Sequence, residues 1–252
     1  MRPITAPFRI GAAVVVLWSV ALTACGAAPQ GKKKQMDWFY GKDIALQRAI
    51  DADDPAAVDQ AVRNGANVNA KGLHGTTPLE WALGHFKKNA YKKLLELKAD
   101  PNRRDEEKDN AMTLAVRAYK KDPDYLKLAL AAGGDPNTRD AGGDPIIMRF
   151  MNDFDCSAIR LMKEAGTDIN ARTRSDDPLV LDAAIAEDWD VTWCLLQLGA
   201  QFDYANLPNN FYIAFKNPYA TKPDSPLYSY KVKCYNFLKA HGVKLPDLAT
   251  GK

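Results

Sequence analysis

The stretch from Gly75 to Asn102, "GTTPLEWALGHFKKNAYKKLLELKADPN", carries the signals for a complete folding unit. Thr77 before Pro78 is an N-cap residue followed by proline at the first helical position, where the missing N–H costs nothing. "LEWAL" and "YKKLLEL" are two short apolar segments, and "KADPN" after them is turn chemistry, with Asp and Asn side chains bonding nearby backbone and Pro fixing φ. The stretch predicts a turn and two antiparallel helices.

The same signals recur along the chain. "GANVN" at 65–69 returns as "KADPN" at 98–102, "GGDPN" at 133–137, "GTDIN" at 166–170 and "GAQFD" at 199–203, with starts 33, 35, 33 and 33 residues apart. A second motif keeps step: "TPL" at 77–79, "NAM" at 110–112, "DPI" at 144–146 and "DPL" at 177–179. Two independent motifs sharing one period define a repeat architecture, in which each unit buries its apolar side only by stacking on its neighbours. Glycine at a helix end supplies the left-handed residue that stops it. The expected fold class is all-α, a solenoid of helix-turn-helix units.

These units resemble ankyrin repeats, whose consensus opens with G-x-T-P-L-H-x-A and closes with L-L-x-x-G-A-D-x-N. The resemblance covers residues 42–204 and is best at Gly75–Asn102. The consensus His after the Leu is Glu80, Thr113, Ile147 and Val180 here, so the hydrogen bond linking neighbouring turns in the family must be remade or absent. Terminal repeats need a polar outer face and are atypical. Residues 42–71 therefore form an N-terminal cap repeat, 72–204 hold four ankyrin-like repeats, and 205–252 form a C-terminal cap whose Pro-rich insert, "NPYATKPDSP", is a loop.

The chain opens differently. After Arg2 and Arg9 the run "IGAAVVVLWSVALTA" carries no charge, is short for a membrane span, and ends in small residues, as a secretory signal peptide does. "Leu22-Thr23-Ala24-Cys25" resembles the lipobox of bacterial lipoproteins. That resemblance implies removal of residues 1–24 and acylation of Cys25; the alternative is an ordinary signal peptide with Cys25 incidental. Gly26, where some lipoproteins carry Asp, implies sorting to the outer membrane, with the array facing the periplasm. Residues 25–41 read as a flexible tether with a small basic cluster at 32–34.

Without Arg2 and Arg9, the 34 basic residues become 32 against 31 acids, so the remainder has no electrostatic footprint for nucleic acid. Cys156, Cys194 and Cys234 fit no zinc or CxxC spacing, and burial is the expectation for each, although an oxidising compartment permits disulfides. His74, His85 and His241 are scattered, and the chain has no G-x-S-x-G elbow, HExxH, P-loop or dinucleotide turn. The expectation is a non-enzyme without cofactor or metal, in which "DEEKD" at 105–109 is a solvated turn.

Four residues after the Pro position, where the family places a small Ala, stand Ala82, Ala115, Arg149 and Asp182. Stacking predicts a partly buried Arg149–Asp182 salt bridge, since either charge buried alone is costly; the alternative reserves Arg149 for a partner's acid. Ankyrin arrays bind proteins through turn tips and the first helices, lining a concave surface. The resemblance places the variable contact positions at Leu73, His74, Thr76 and His85, then Glu106, Glu107, Asp109 and Arg117, then Asp140, Ala141, Met151 and Asn152, and finally Thr173, Arg174 and Asp176. Trp189, flanked by acids, is read either as core or as an exposed anchor. A lipid-anchored array of this kind resembles the immunity lipoproteins paired with type VI secretion phospholipase effectors, which implies a monomer that neutralises a secreted phospholipase. The alternative is a periplasmic scaffold supporting an envelope or stress-response enzyme.

Overall fold

The computed structural model describes residues 36–153, 155–202, 207–216 and 221–248, with the side chains of 207–210 outside the description. The expected signal peptide, Cys25 and most of the tether lie outside the described residues. Among the described residues twelve α-helices follow one another in pairs: α1 (Asp43–Asp51) and α2 (Pro55–Arg63), α3 (Pro78–Gly84) and α4 (Lys88–Glu96), α5 (Ala111–Ala118) and α6 (Asp124–Ala131), α7 (Met148–Asn152) and α8 (Cys156–Glu164), α9 (Leu179–Ile185) and α10 (Trp189–Gln197), α11 (Leu207–Lys216) and α12 (Tyr228–Ala240). First helices pack on first helices, α1 on α3, α3 on α5, α5 on α7 and α9 on α11; second helices do the same, α2 on α4, α4 on α6 and α10 on α12.

The small residues expected at the crowded inner position, Ala82 and Ala115, are fully buried. Around them Leu79, Tyr91, Leu94, Met112, Tyr125, Leu126, Phe150 and Ile159 form a continuous core. Each aliphatic or Phe side chain removed from water contributes about 1.5–3 kcal/mol. Every unit closes in the same way. Gly65, Gly133, Gly166, Gly199 and Gly242 take φ between +83° and +98° after the second helix. The next amide then reaches back to the carbonyl five residues earlier, as from Ala66 to Ala61 (3.1 Å) and from Thr167 to Met162 (2.9 Å). In the second position of that series Lys98 adopts φ +68° without being glycine.

The helix starts divide into two kinds. Thr77 accepts from the Glu80 amide while the Glu80 carboxylate accepts from the Thr77 amide, and Asn110 with Thr113 makes the same reciprocal box. Asp144 and Asp177, which hold the place of Thr77 in their units, do not cap. Pro145 and Pro178 instead sit in short bridges with Arg139 and Arg172, and α9 starts only after Pro178. Ahead of α7 the chain is wound by three-residue bonds, Met148 to Pro145, Arg149 to Ile146 and Phe150 to Ile147, which leaves a helix of five residues.

Two boundaries differ from the sequence reading. The folded unit begins at Asp37, not after 41. Phe39 is buried, the Trp38 and Phe39 amides donate to Gln47 Oε1 (2.8 and 3.3 Å), and the Trp38 carbonyl accepts from Leu73. Gly72 is required there, because a Cβ would stand 2.6 Å from that carbonyl. Cys156 and Cys194, expected as separate buried thiols, form a disulfide joining α8 to α10, whereas Cys234 is free and buried as expected.

Candidate functional site

The turn tips and first helices form the face on which the contact positions were placed. His74, His85, Glu106, Glu107, Arg117, Ala141, Asn152, Arg174 and Asp176 are exposed there, and Leu73, Thr76 and Asp140 are half-buried. Asp109, Met151, Thr173 and Trp189 are not on the surface, with exposures of 8%, 2%, 7% and 0%. Met151 follows the tight start of α7 into the core, and the Thr173 hydroxyl accepts the Ser175 and Asp177 amides of its own turn. Trp189 stacks on Phe215 with ring centroids 4.7 Å apart, so the exposed-anchor reading is overturned. Lys231, also buried, lies over both rings, and burial pushes its ammonium below the ordinary lysine range.

Asp109 and Arg117 meet each other in a two-pronged ion pair, Nη1 to Oδ2 at 2.5 Å and Nη2 to Oδ1 at 2.9 Å. Arg117 is thereby fixed over the start of α5. The expected Arg149–Asp182 bridge is not made: no acid of the described residues lies within ion-pairing distance of Arg149, which is exposed. The tight winding before α7 is the reason, because a three-residue turn rotates the fourth position away from where the regular start of α9 puts Asp182. Asp182 is half-buried, and burial, with repulsion from Asp177 and Asp144, raises its pKa.

At the other end of this face His74, Trp38, Trp81 and His85 form one aromatic string. The ring centroids are separated by 6.0, 5.2 and 4.0 Å, and Trp81 donates to Asp51 at 2.8 Å. Of the expected contact residues, His74 is thus seated on Trp38 and His85 on Trp81, and Trp38 belongs to the segment expected as tether.

Two ladders of hydrogen bonds link neighbouring turns. In the first, Asn102 accepts from the Asp135 amide (2.7 Å) and donates to the Gly133 carbonyl (2.9 Å); Asn137 does the same to Asp168 and Gly166 (2.8 and 3.2 Å). Asn69 and Asn170 occupy the equivalent places, accepting from Asp100 and Gln201 at 2.8 Å each. In the second, Arg104 donates to the Lys108 and Arg139 carbonyls (2.5 and 2.8 Å), and Arg139 to the Gly143 and Arg172 carbonyls (2.7 and 3.0 Å). The arginine ladder is not among the sequence expectations, although its signal is present: an Arg two residues after Asn102, Asn137 and Asn170, with Lys71 in that place after Asn69.

Beneath this surface lies Glu80, 3% exposed, with Oε2 accepting from Thr77 at 2.6 Å and Oε1 without a hydrogen-bond partner. Burial raises its pKa to about 7 against the opposing pull of the Thr77 hydrogen bonds, and repulsion from Asp105 and Asp109 adds to the rise. Asp188 is raised to about 6, again by burial, with Asp190 and Asp182 adding to it.

This stacked arrangement is the ankyrin-repeat fold. Among solved structures it is similar to the ankyrin repeat domain of Bcl-3, a member of the IκB family, with a TM-score of 0.55 and 22% identity over 62% of this chain and 70% of that one. It is likewise similar to an ankyrin repeat domain from Acinetobacter baumannii AYE, with a TM-score of 0.54 and 21% identity over 62% of this chain and 82% of that one. In sequence, 106 residues are 33% identical to an ankyrin repeat domain-containing protein of Stachybotrys chartarum, a match spanning 41% of this chain but only 5% of that protein. No protein-family model matches the chain.

Proposed function

We propose that this chain is a lipid-anchored, periplasm-facing binding protein that neutralises a secreted phospholipase, acting by stoichiometric occlusion and not by catalysis. The observation that carries the location is the pairing of a lipobox at Cys25 with a Cys156–Cys194 disulfide in the array, since disulfides persist in oxidising compartments. The binding role rests on the first-helix face, where an aromatic string, a fixed arginine and an unpaired arginine stand on a scaffold braced by the two ladders. The phospholipase is taken from the resemblance to type VI immunity lipoproteins. Anchoring fits that role, because tethering concentrates an inhibitor where the enzyme reaches its substrate.

The test is affinity capture of the full chain from envelope extracts, with Cys25→Ala beside it. The proposal expects a one-to-one complex with a secreted phospholipase, inhibition of that enzyme on phospholipid vesicles, and release of Cys25→Ala into the soluble fraction with its affinity intact. Recovery of resident envelope proteins only, or retention of Cys25→Ala on the membrane, would overturn it.

A further inference from the structure

Between α5 and α7 the first-helix face opens into a cleft of about 220 Å³, whose lining includes Thr113, Arg117, Asp144, Met148, Arg149 and Asn152. It exists because α7 starts late and is only five residues long, so the first helix of this unit fills less of the space beside α5 than its counterparts do. The charges of the cleft are spent on the protein itself, with one exception. Arg117 is held by Asp109 through two hydrogen bonds. Asp144 accepts the Arg174 amide at 2.8 Å and faces the Arg174 guanidinium at 3.5 Å. Asp140, also on the wall, uses Oδ1 to hold the Gly142 and Asp144 amides at 2.9 and 3.1 Å. Arg149 is exposed and has no acid of the described residues within ion-pairing distance.

We infer that this cleft is the receptor for one carboxylate side chain of the protein partner, an Asp or Glu entering between α5 and α7 and taken by Arg149, with Asn152 as a flanking polar group. A guanidinium presents a planar fork that matches a carboxylate two hydrogen bonds at a time. Asp140 and Asp144 make no ion pair with Arg149: Asp140 Oδ1 is turned to the Gly142 and Asp144 amides, and Asp144 faces Arg174. They act as a selectivity wall against a second negative charge, so a single carboxylate fits where a dianion does not. The apolar sides of the cleft, Val116, Ile146 and Met148, lower the local dielectric once a partner covers it, which strengthens the pair.

This inference rests on the binding role proposed above but not on the partner's being a phospholipase, and the experiment separates the two. The full chain in detergent is titrated with acetyl-Glu-Leu-amide, acetyl-Gln-Leu-amide and inorganic phosphate while the Arg149 side-chain N–H signal is followed by NMR. The expectation is a saturable displacement with the glutamate peptide in the millimolar range, none with the glutamine peptide or phosphate, and loss of the response in Arg149→Gln. Equal displacement by phosphate, or none by the glutamate peptide, overturns the inference. In the captured complex, Arg149→Gln should weaken binding by about 30-fold at unchanged thermal stability, as expected for removing one half of a buried charge pair. If a phospholipase is captured equally well by wild type and Arg149→Gln, this inference falls and the functional proposal stands. If the peptide response appears but no phospholipase is captured, the reverse holds.

Discussion

Glu80→Gln should make the protein more stable at neutral and alkaline pH and flatten its pH dependence. The carboxyl is 3% exposed, one oxygen has no partner, and its pKa stands at about 7 against an ordinary 4.5. The folded state thus holds a proton that the unfolded chain has already released between pH 4.5 and 7. Where the native state binds more protons than the unfolded state, stability falls as pH rises. The native contribution of the neutral acid is fully present below the unfolded pKa and is lost as pH passes through the folded one. The difference of 2.5 pH units, at 1.36 kcal/mol each, sets the loss at about 3 kcal/mol. Gln reproduces the neutral form, its amide oxygen accepting from Thr77 as Oε2 does, and does not titrate. Urea unfolding of both proteins at half-unit steps from pH 4.5 to 8.5 gives two curves. Their difference isolates this group from Asp188, which is raised to about 6 and slopes the same way in both proteins. The curves should coincide near pH 4.5 and separate by about 3 kcal/mol above pH 7.5, with Gln the more stable. Parallel curves across that window, or a gap that widens toward acid, would refute the reasoning.

Replacing Cys156 and Cys194 by Ser removes a cross-link that closes a 38-residue separation, and chain entropy sets the cost at about 4 kcal/mol; a denaturant midpoint unchanged by the substitution, or by reductant in the wild type, would count against the staple. Asn102→Ala deletes one bond to the Asp135 amide and one to the Gly133 carbonyl, and should cost about 1–2 kcal/mol in equilibrium unfolding. An effect near zero would mean that water replaces the ladder at no cost. Trp189→Ala should destabilise by about 3–5 kcal/mol, the cost of emptying a fully buried aromatic site; a surface anchor would lose partner affinity while leaving the melting temperature unmoved.

Whatever depends on local chemistry at the repeat period was legible in the sequence. Glycine at the helix ends, the Asp and Asn turn bonds and the small residues at 82 and 115 act within a few residues of themselves, so spacing alone located them. What escaped depends on contacts between units or on the pitch of one turn. The Arg149–Asp182 expectation assumed that equal spacing means equal rotation, and the three-residue winding before α7 broke that equality without changing the period. Trp189 looked exposed because acids flank it in sequence, yet Phe215 and Lys231, from the last helix pair, cover it. Trp38 and Phe39 were read with the tether because their partners, Gln47, Leu73 and Trp81, come later in the chain. The contact face was legible as a face and not residue by residue, since burial removed Asp109, Met151 and Thr173 from it.

Three departures from the regular repeat fall at one junction. The unit of α7 and α8 has the shortened first helix, its neighbour carries Asp182 where a small residue belongs, and that carboxyl is repelled by Asp144 and Asp177 and makes no ion pair with any arginine of the described residues. In a solenoid, stability is close to a sum of unit and neighbour terms, so a weak junction lets one segment open while the rest stays folded. The disulfide from α8 to α10 spans that same junction, on the second-helix side, opposite the face that carries the cleft. A staple placed there keeps the fourth and fifth units from parting at the junction that Asp182 weakens, while the cleft lies one junction earlier, between α5 and α7. The cross-link thus offsets the like-charge cost of Asp182 at its own junction, and only where thiols are oxidised.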